Sequence, residues 1–370
     1  MNVLRASRKV VSAIFTLVGV GFMIYLPTKY LRWIEFEPRP AVAVADTDAF
    51  ARSADEYWSQ AAKNGELKGH LRIQKGGKVV LSKSYGDTSA NEKTEYLIGS
   101  LSKQFTSALV LDLVASGKLK LDDPVCKYVS HFCADKLKAI TVDELMTHTS
   151  GLPRLPISVS GILAIFGQFF FEYDLQEFVS LHSPSVVDSA PGEKCSYSNY
   201  GFDVLAAVAE NAGDQKFADA MDRFLRDRAK LASTSMAKTG VYRNFFGSGA
   251  IVSSPADMSA WGNELLSYAV LSEETRRIYW EPRFKKCARG WMIFKHAVSD
   301  EKIVWHNGKV PGYYSTMAIY PESQTVVVWL SDSDLSSKEE MQIPSEFDDL
   351  LMGDPYSVPS GRRTIPGFKL

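Results

Sequence analysis

Cysteine and surplus charge are both scarce in this chain. Its 370 residues hold 4 cysteines, and 42 Lys+Arg against 43 Asp+Glu leave a net charge of -1. So few cysteines do not make a disulfide scaffold. No Cys-x-x-Cys, His-x-x-x-His or mixed Cys/His cluster offers zinc a site, and no metal or other cofactor is expected. Cys126 and Cys133 are close in sequence, whereas Cys195 and Cys287 stand alone. All four read as small buried apolar residues, with a Cys126–Cys133 bridge open to an exported domain. The charge balance lacks the basic excess that neutralises phosphates, which excludes nucleic acid as a partner. Also missing are a Gly-x-Gly-x-x-Gly after a strand, a P-loop, a Gly-x-Ser-x-Gly elbow and any internal repeat, so nicotinamide, nucleotide and α/β-hydrolase readings lose support. What remains is ordinary globular material, 45% hydrophobic and 23% charged, with room for one large domain or two modest ones.

Long apolar runs are few as well, and the first is terminal. Arg5, Arg8 and Lys9 precede an apolar stretch from Val10 to Leu26, which Pro27, Lys29 and Arg32 close. A spanning helix needs about 17–25 residues. No small-residue cleavage site follows the run promptly, since the nearest Ala-x-Ala pattern is Ala41–Ala43. The reading is an uncleaved single-pass anchor at 10–26, with 1–9 cytoplasmic and the main domain outside the cell membrane. A cleaved signal is the alternative.

Residues 27–47 read as a linker and 48–352 as the folded domain, with a tail at 353–370. Helical periodicity is clear at Ala49–Asn64, Gln104–Ala115, Val142–Thr147, Leu175–Leu181, Phe202–Asn211, Lys216–Arg228 and Ser336–Leu351. Strand patterns occupy His70–Ile73 and Val79–Ser84, joined by a Gly76-Gly77 turn, and return at Trp291–Lys295, Ile303–Trp305, Ser315–Tyr320 and Thr325–Leu330. Strands at both ends of a helical middle predict an α+β fold. One antiparallel sheet would be flanked by helices, with a mostly helical insertion at roughly 120–245 and a ligand cleft between them. The apolar segment Ile157–Phe171 is too short and glycine-broken to span a membrane; it reads as a core helix or as an apolar wall over the cleft.

Chemistry concentrates in three places. Ser100 and Lys103 put a hydroxyl and an amine on one helix face. There a lysine held neutral would draw the serine proton, and unpaired amides at the helix start would favour developing negative charge. The competing role for Ser100 is a plain helix cap. Tyr197 and Asn199 precede the next strong helix, and can relay a proton and bind substrate amide; alternatively they are a core aromatic and a cap. His306 ends a strand, and Gly308 allows close backbone approach. The amides of Lys309 and Ser100 would then form an oxyanion hole.

These three elements, in this order, resemble the serine beta-lactamase and penicillin-binding-protein superfamily, nearest its class C-like branch of beta-lactamases, D-aminopeptidases, D,D-carboxypeptidases and esterases. The likeness runs from about Phe50 to Ser333. It is supported by Tyr85-Gly86, Ile140–Pro153 and Gly249–Asp257. The resemblance implies Ser100 as nucleophile, Lys103 and Tyr197 as proton carriers, and Asn199, His306, Gly308 and Lys309 as substrate-binding residues. His148 and Asp257 would orient loops. One departure stands out: the family's Lys-Thr-Gly is here His306-Asn307-Gly308, so a fixed cation is replaced by a group of pKa about 6.5. The expected activity is therefore an acyl-enzyme hydrolase of esters or D-amino-acid amides, bound to a bacterial cell membrane and working on small or peptidoglycan-derived substrates. A D,D-peptidase or beta-lactamase is the first alternative, and a non-catalytic membrane-tethered binding protein the second.

Overall fold

The computed structural model describes residues 32–63, 67–86, 88–134, 136–153, 173–184, 187–238, 241–333, 335 and 338–364. The proposed anchor at 10–26 and the apolar segment 157–171 lie outside them. Among the described residues no helix is long and apolar enough to cross a membrane.

The elements run β1 (Arg32–Arg39), α1 (Thr47–Lys63), β2 (Gly69–Lys75), β3 (Lys78–Tyr85), β4 (Tyr96–Leu97), α2 (Ser102–Ala115), α3 (Val142–Met146), α4 (Leu175–Leu181), α5 (Asn199–Gly213), α6 (Phe217–Arg223), β5 (Ser235–Met236), β6 (Ile251–Ser253), α7 (Pro255–Leu266), α8 (Glu273–Tyr279), β7 (Met292–Lys295), β8 (Lys302–Val310), β9 (Tyr313–Tyr320), β10 (Thr325–Ser331), α9 (Lys338–Met352) and β11 (Tyr356–Thr364). The main sheet has six strands in the order β3-β2-β10-β9-β8-β7, every pair antiparallel. Strands from the two ends of the domain thus form one sheet, as their patterns predict.

Both faces of that sheet are covered, and the period-two alternation of β10 shows how. Val326, Val328 and Leu330 pack into the core shared with the helical region, while Val327 and Trp329 pack into a second core under α1 and α9. The indoles of Trp58 and Trp329 stack there with centroids 3.6 Å apart. On β8 the same alternation places Val304 in the first core and Ile303 in the second. The even-numbered residues His306 and Gly308 therefore share the face turned toward the helices.

Two readings of the sequence need correction. Residues 32–39, taken as linker, and 356–364, taken as tail, pair as an antiparallel ribbon. Ile34 and Phe36 alternate with Glu35 and Glu37 and pack on the second core; Pro38 and Pro359, within the two strands, disguised a strand pattern. The lone cysteines are the other case. Cys195 and Cys287, 92 residues apart, are bridged with Cα atoms 6.3 Å apart, and Cys126–Cys133 forms a second disulfide. Sequence separation hid the first pair, because spatial proximity came only with the fold.

The stacked indoles anchor α1 to the sheet. Trp329→Ala should destabilise the protein by about 3–5 kcal/mol, read as a lowered midpoint of urea unfolding; an unchanged midpoint would refute this account of the second core.

Candidate active site

Ser100 lies in a 3-10 turn, Gly99–Leu101, that runs directly into α2. It is not a helix cap, since neither the turn nor α2 has a side-chain capping bond. Its hydroxyl instead accepts a hydrogen bond from Lys103 Nζ at 2.9 Å, and the same amine donates to the carbonyl of Ser248 at 2.7 Å. Ser100 is half-buried, and Lys103 is fully buried at 0% exposure. Burial pushes the lysine well below the ordinary amine range, against the opposing charge of Asp203. A buried amine with no carboxylate in ion-pair contact among the described residues favours its neutral form, which has a lone pair to offer a hydroxyl proton.

The backbone around Ser100 is set by two glycines. Gly99 has φ +50, and a side chain there would meet the amide nitrogen of Lys309 at 3.1 Å. A side chain on Gly308 would collide with the carbonyl of Ile98, and would come within 2.6 Å of Ser315 Oγ and 2.9 Å of Ser100 N. Ser315 Oγ donates to that Ile98 carbonyl at 2.8 Å and pins the turn to β9. Val310 pairs with Tyr313 across the two-residue turn Pro311–Gly312. Counting back from it, residues 310, 308 and 306 exchange hydrogen bonds with β9, so the Lys309 N–H faces away from that strand. The amides of Ser100 and Lys309 thus flank one small space beside Ser100 Oγ. The Lys309 side chain leaves on the opposite face, where it donates to the carbonyl of Leu335 at 2.9 Å.

Tyr197 lies on the site face. Lys103 Nζ sits 4.9 Å from its ring centroid, and the ring lies between His148, at 4.3 Å, and His306, at 6.0 Å. The cap of α5 is Ser198, whose Oγ accepts from Gly201 N, so Asn199 begins the helix with its side chain free of that duty. The buried Asn199 Oδ1 has no hydrogen-bond partner among the described residues.

The histidine tautomers follow from their partners. His306 Nδ1 is 2.6 Å from the carbonyl of Asn307, which only accepts, so Nδ1 carries the proton and Nε2 holds a bare lone pair. His148 is the reverse: its Nδ1 accepts from Ser198 N at 3.1 Å, leaving the proton on Nε2. Both Nε2 atoms are buried and without a partner among the described residues. Burial first, then the nearby Lys103 charge, pushes His306 down to about 3 and His148 well below its ordinary value. Neither ring is a cation at neutral pH. The charge lost with the family's Lys-Thr-Gly lysine is therefore not restored by His306, nor by Lys309.

Sequence reasoning missed the inner support of Lys103. Asp203, on α5, accepts from the amides of Gly247 and Ser248, each at 3.2 Å. Its signal was present, as a lone acid in the otherwise apolar run Phe202-Asp203-Val204-Leu205-Ala206-Ala207. Asp257 behaves as a loop-orienting residue, accepting from Ser233 N and Thr234 Oγ1.

The family model described as Beta-lactamase matches residues 59–346, which contain every one of these groups. The chain belongs to the beta-lactamase family. That family lies in the serine beta-lactamase and penicillin-binding-protein superfamily. Among curated relatives of this family member, Protein flp of Staphylococcus aureus (strain NCTC 8325 / PS 47) is 25% identical over 310 residues, covering 72% of this chain and 60% of that protein. The chain accordingly spans less than two thirds of that relative. Penicillin-binding protein 4* of Bacillus subtilis (strain 168) is 23% identical, with coverages of 80% and 74%. Of solved structures, D-amino acid amidase from Ochrobactrum anthropi SV3, complexed with D-phenylalanine, superposes with a TM-score of 0.68 at 16% identity, covering 82% of this chain and 99% of that one. The octameric penicillin-binding protein homologue from Pyrococcus abyssi also gives 0.68, at 22% identity with coverages of 84% and 78%. Both likenesses place the antiparallel sheet with flanking helices in the family fold.

Because burial holds His306 neutral, its ring should show no protonation between pH 5 and 8. Titration of its 13Cε1 resonance by NMR checks this. A midpoint near the ordinary histidine value of about 6.5 would return a cation to the site.

Proposed function

We propose that the chain cleaves esters or amides through an acyl-enzyme on Ser100. The observation that carries the reading is the 2.9 Å contact between Ser100 Oγ and the wholly buried Lys103 Nζ. Ser100 Oγ attacks the substrate carbonyl as Lys103 takes its proton, and the amides of Ser100 and Lys309 receive the charge on the carbonyl oxygen. The tetrahedral intermediate collapses to the acyl-serine when the C–O or C–N bond breaks. The proton held by Lys103, passed by way of Tyr197, goes to the departing alcohol or amine. Water, deprotonated by the same groups, then releases the acid and restores Ser100. Asn199, whose Oδ1 has no partner among the described residues, and the edge of β8 at His306 and Gly308 hold the substrate.

Substrate choice follows from the missing cation. A neutral His306 presents a lone pair on this face, so β8 greets a hydrogen-bond donor rather than a carboxylate. Neutral esters and amides suit it better than peptides ending in a free carboxylate, and better than penicillins. The D-amino acid amidase likeness supports the amide arm of this reading, and the penicillin-binding relatives support acylation by a beta-lactam as the alternative.

We also propose that the chain is held at a bacterial cell membrane by residues 10–26, with the catalytic domain on the outer side. The two disulfides support this placement, because such bonds persist in oxidising compartments. Protease added to intact spheroplasts should digest the domain; full protection would sink the topology.

Intact-protein mass spectrometry after incubation with a small ester, a D-amino acid amide, a D-Ala-D-Ala peptide and a penicillin tests the chemistry. The adduct should map to Ser100, with turnover favouring the first two. Ser100→Ala should lose the adduct and lower turnover by about 10³-fold or more, whereas Ser235→Ala should change neither. Parental turnover by S100A would overturn the assignment.

A further inference from the structure

The lysine's environment contains an acid that the mechanism above does not use. Asp203 Oδ1 gathers the amides of Gly247 and Ser248 at 3.2 Å each, and the carbonyl of that same Ser248 receives Lys103 Nζ at 2.7 Å. The segment reaches α5 only because residue 247 is glycine: a side chain there would collide with the Phe202 carbonyl and stand 3.0 Å from Ala206 Cβ. Thr106 Oγ1 adds a second tether, donating to the carbonyl of Gly247 at 2.8 Å. Asp203 is 2% exposed and Lys103 0%.

We infer that Asp203 is the positioning residue of the site, a buried anion that fixes the Gly247–Ser248 backbone against Lys103 and sets how readily the amine gives up its proton. The inference rests on Lys103 acting as base. Its physical content has two parts. Through the backbone, Asp203 holds the Ser248 carbonyl where it fixes the amine beside Ser100. Through space, its negative charge favours the ammonium form, countering a burial that alone would strip the proton at still lower pH. Burial shifts the acid upward and the amine downward, and each group's charge opposes the other's shift. Other titratable groups face the amine: Tyr197 ahead of α5, His148 after α3 and His306 on β8. The histidines are neutral. Arg289, beside Gly290, is paired with Asp143 at 2.6 Å.

The test uses the full chain labelled with 13C at lysine Cε, the Lys103 resonance being identified by its loss in Lys103→Arg. In Asp203→Asn the titration midpoint of Lys103 should fall by about one pH unit, and the acid limb of kcat/KM for a small ester should move down with it. Asp203→Glu, which keeps the charge, should bring the midpoint back toward the parent value. Thr106→Val loosens the same backbone without touching charge and should leave the midpoint in place. An unmoved midpoint in D203N overturns the inference, as does an equal movement in T106V. Wild-type protein gives a second measurement that no folding defect can cloud: the Asp203 13Cγ and Lys103 13Cε resonances should titrate over the same pH range, and separate ranges overturn the coupling. These midpoints are read whether or not any ester is hydrolysed, so failure of the proposed activity leaves a distinct signature.

Discussion

An amino group sealed away from water is costly, and the architecture around Lys103 offsets that cost in several ways. Its hydrogens go to Ser100 Oγ and the Ser248 carbonyl, its charge is answered by Asp203, and its flank lies against the rings of Tyr197 and Phe202. None of these partners lies on its own helix, and only Ser100, in the turn that leads into it, is near in sequence. The helical region and the loop before β6 must therefore assemble before the lysine has an acceptable place. Each partner is in turn fixed by something else: Ser248 by Asp203, the Ser100 turn by Ser315 on β9, Tyr197 by its contact with His148. The Ser100–Lys103 pair is where the sheet and the helices agree on a common geometry.

Much of this was legible because periodicity and spacing are local properties. The unbroken apolar run Val326–Leu330 announces a strand buried on both sides, and the i,i+3 spacing of Ser100 and Lys103 places the two groups on one side of the chain. Residues without a local signature were not legible. Cys195 and Cys287 give no hint of one another at a separation of 92 residues. Gly247 and Ser248 act through backbone atoms, which every residue has, so no side-chain pattern marks them. Asp203 lies between these cases, conspicuous as an acid in an apolar helix yet mute about its target. The ribbon of β1 and β11 was hidden by prolines and charge that belong to an exposed edge.

The exchange of lysine for histidine on β8 changes more than charge. A lysine there would have three donors and no acceptor, whereas His306 commits its single proton to the Asn307 carbonyl and keeps a lone pair. The hydrogen-bonding sense of the wall is inverted while its shape is broadly kept. His148, on the other side of Tyr197, holds its proton on Nε2 instead. The aromatic ring thus stands between one donor and one acceptor, both buried, and each would have to be satisfied by whatever enters.

The order of strands in the main sheet also bears on how the molecule is made. β2 lies between β3 and β10, so its inner edge, Gly69–Lys75, waits for Thr325–Ser331. At ordinary synthesis rates that interval is on the order of tens of seconds. During it the hairpin of β2 and β3 has an open, apolar-faced edge and no sheet to join. Contacts so distant along the chain also make for slow closure. The amide of Lys309 arrives in this last portion, long after Ser100 has been made. A nascent or truncated chain therefore has Ser100 without the Lys309 amide beside it, and the proposed chemistry would become possible all at once, with the closing of the sheet.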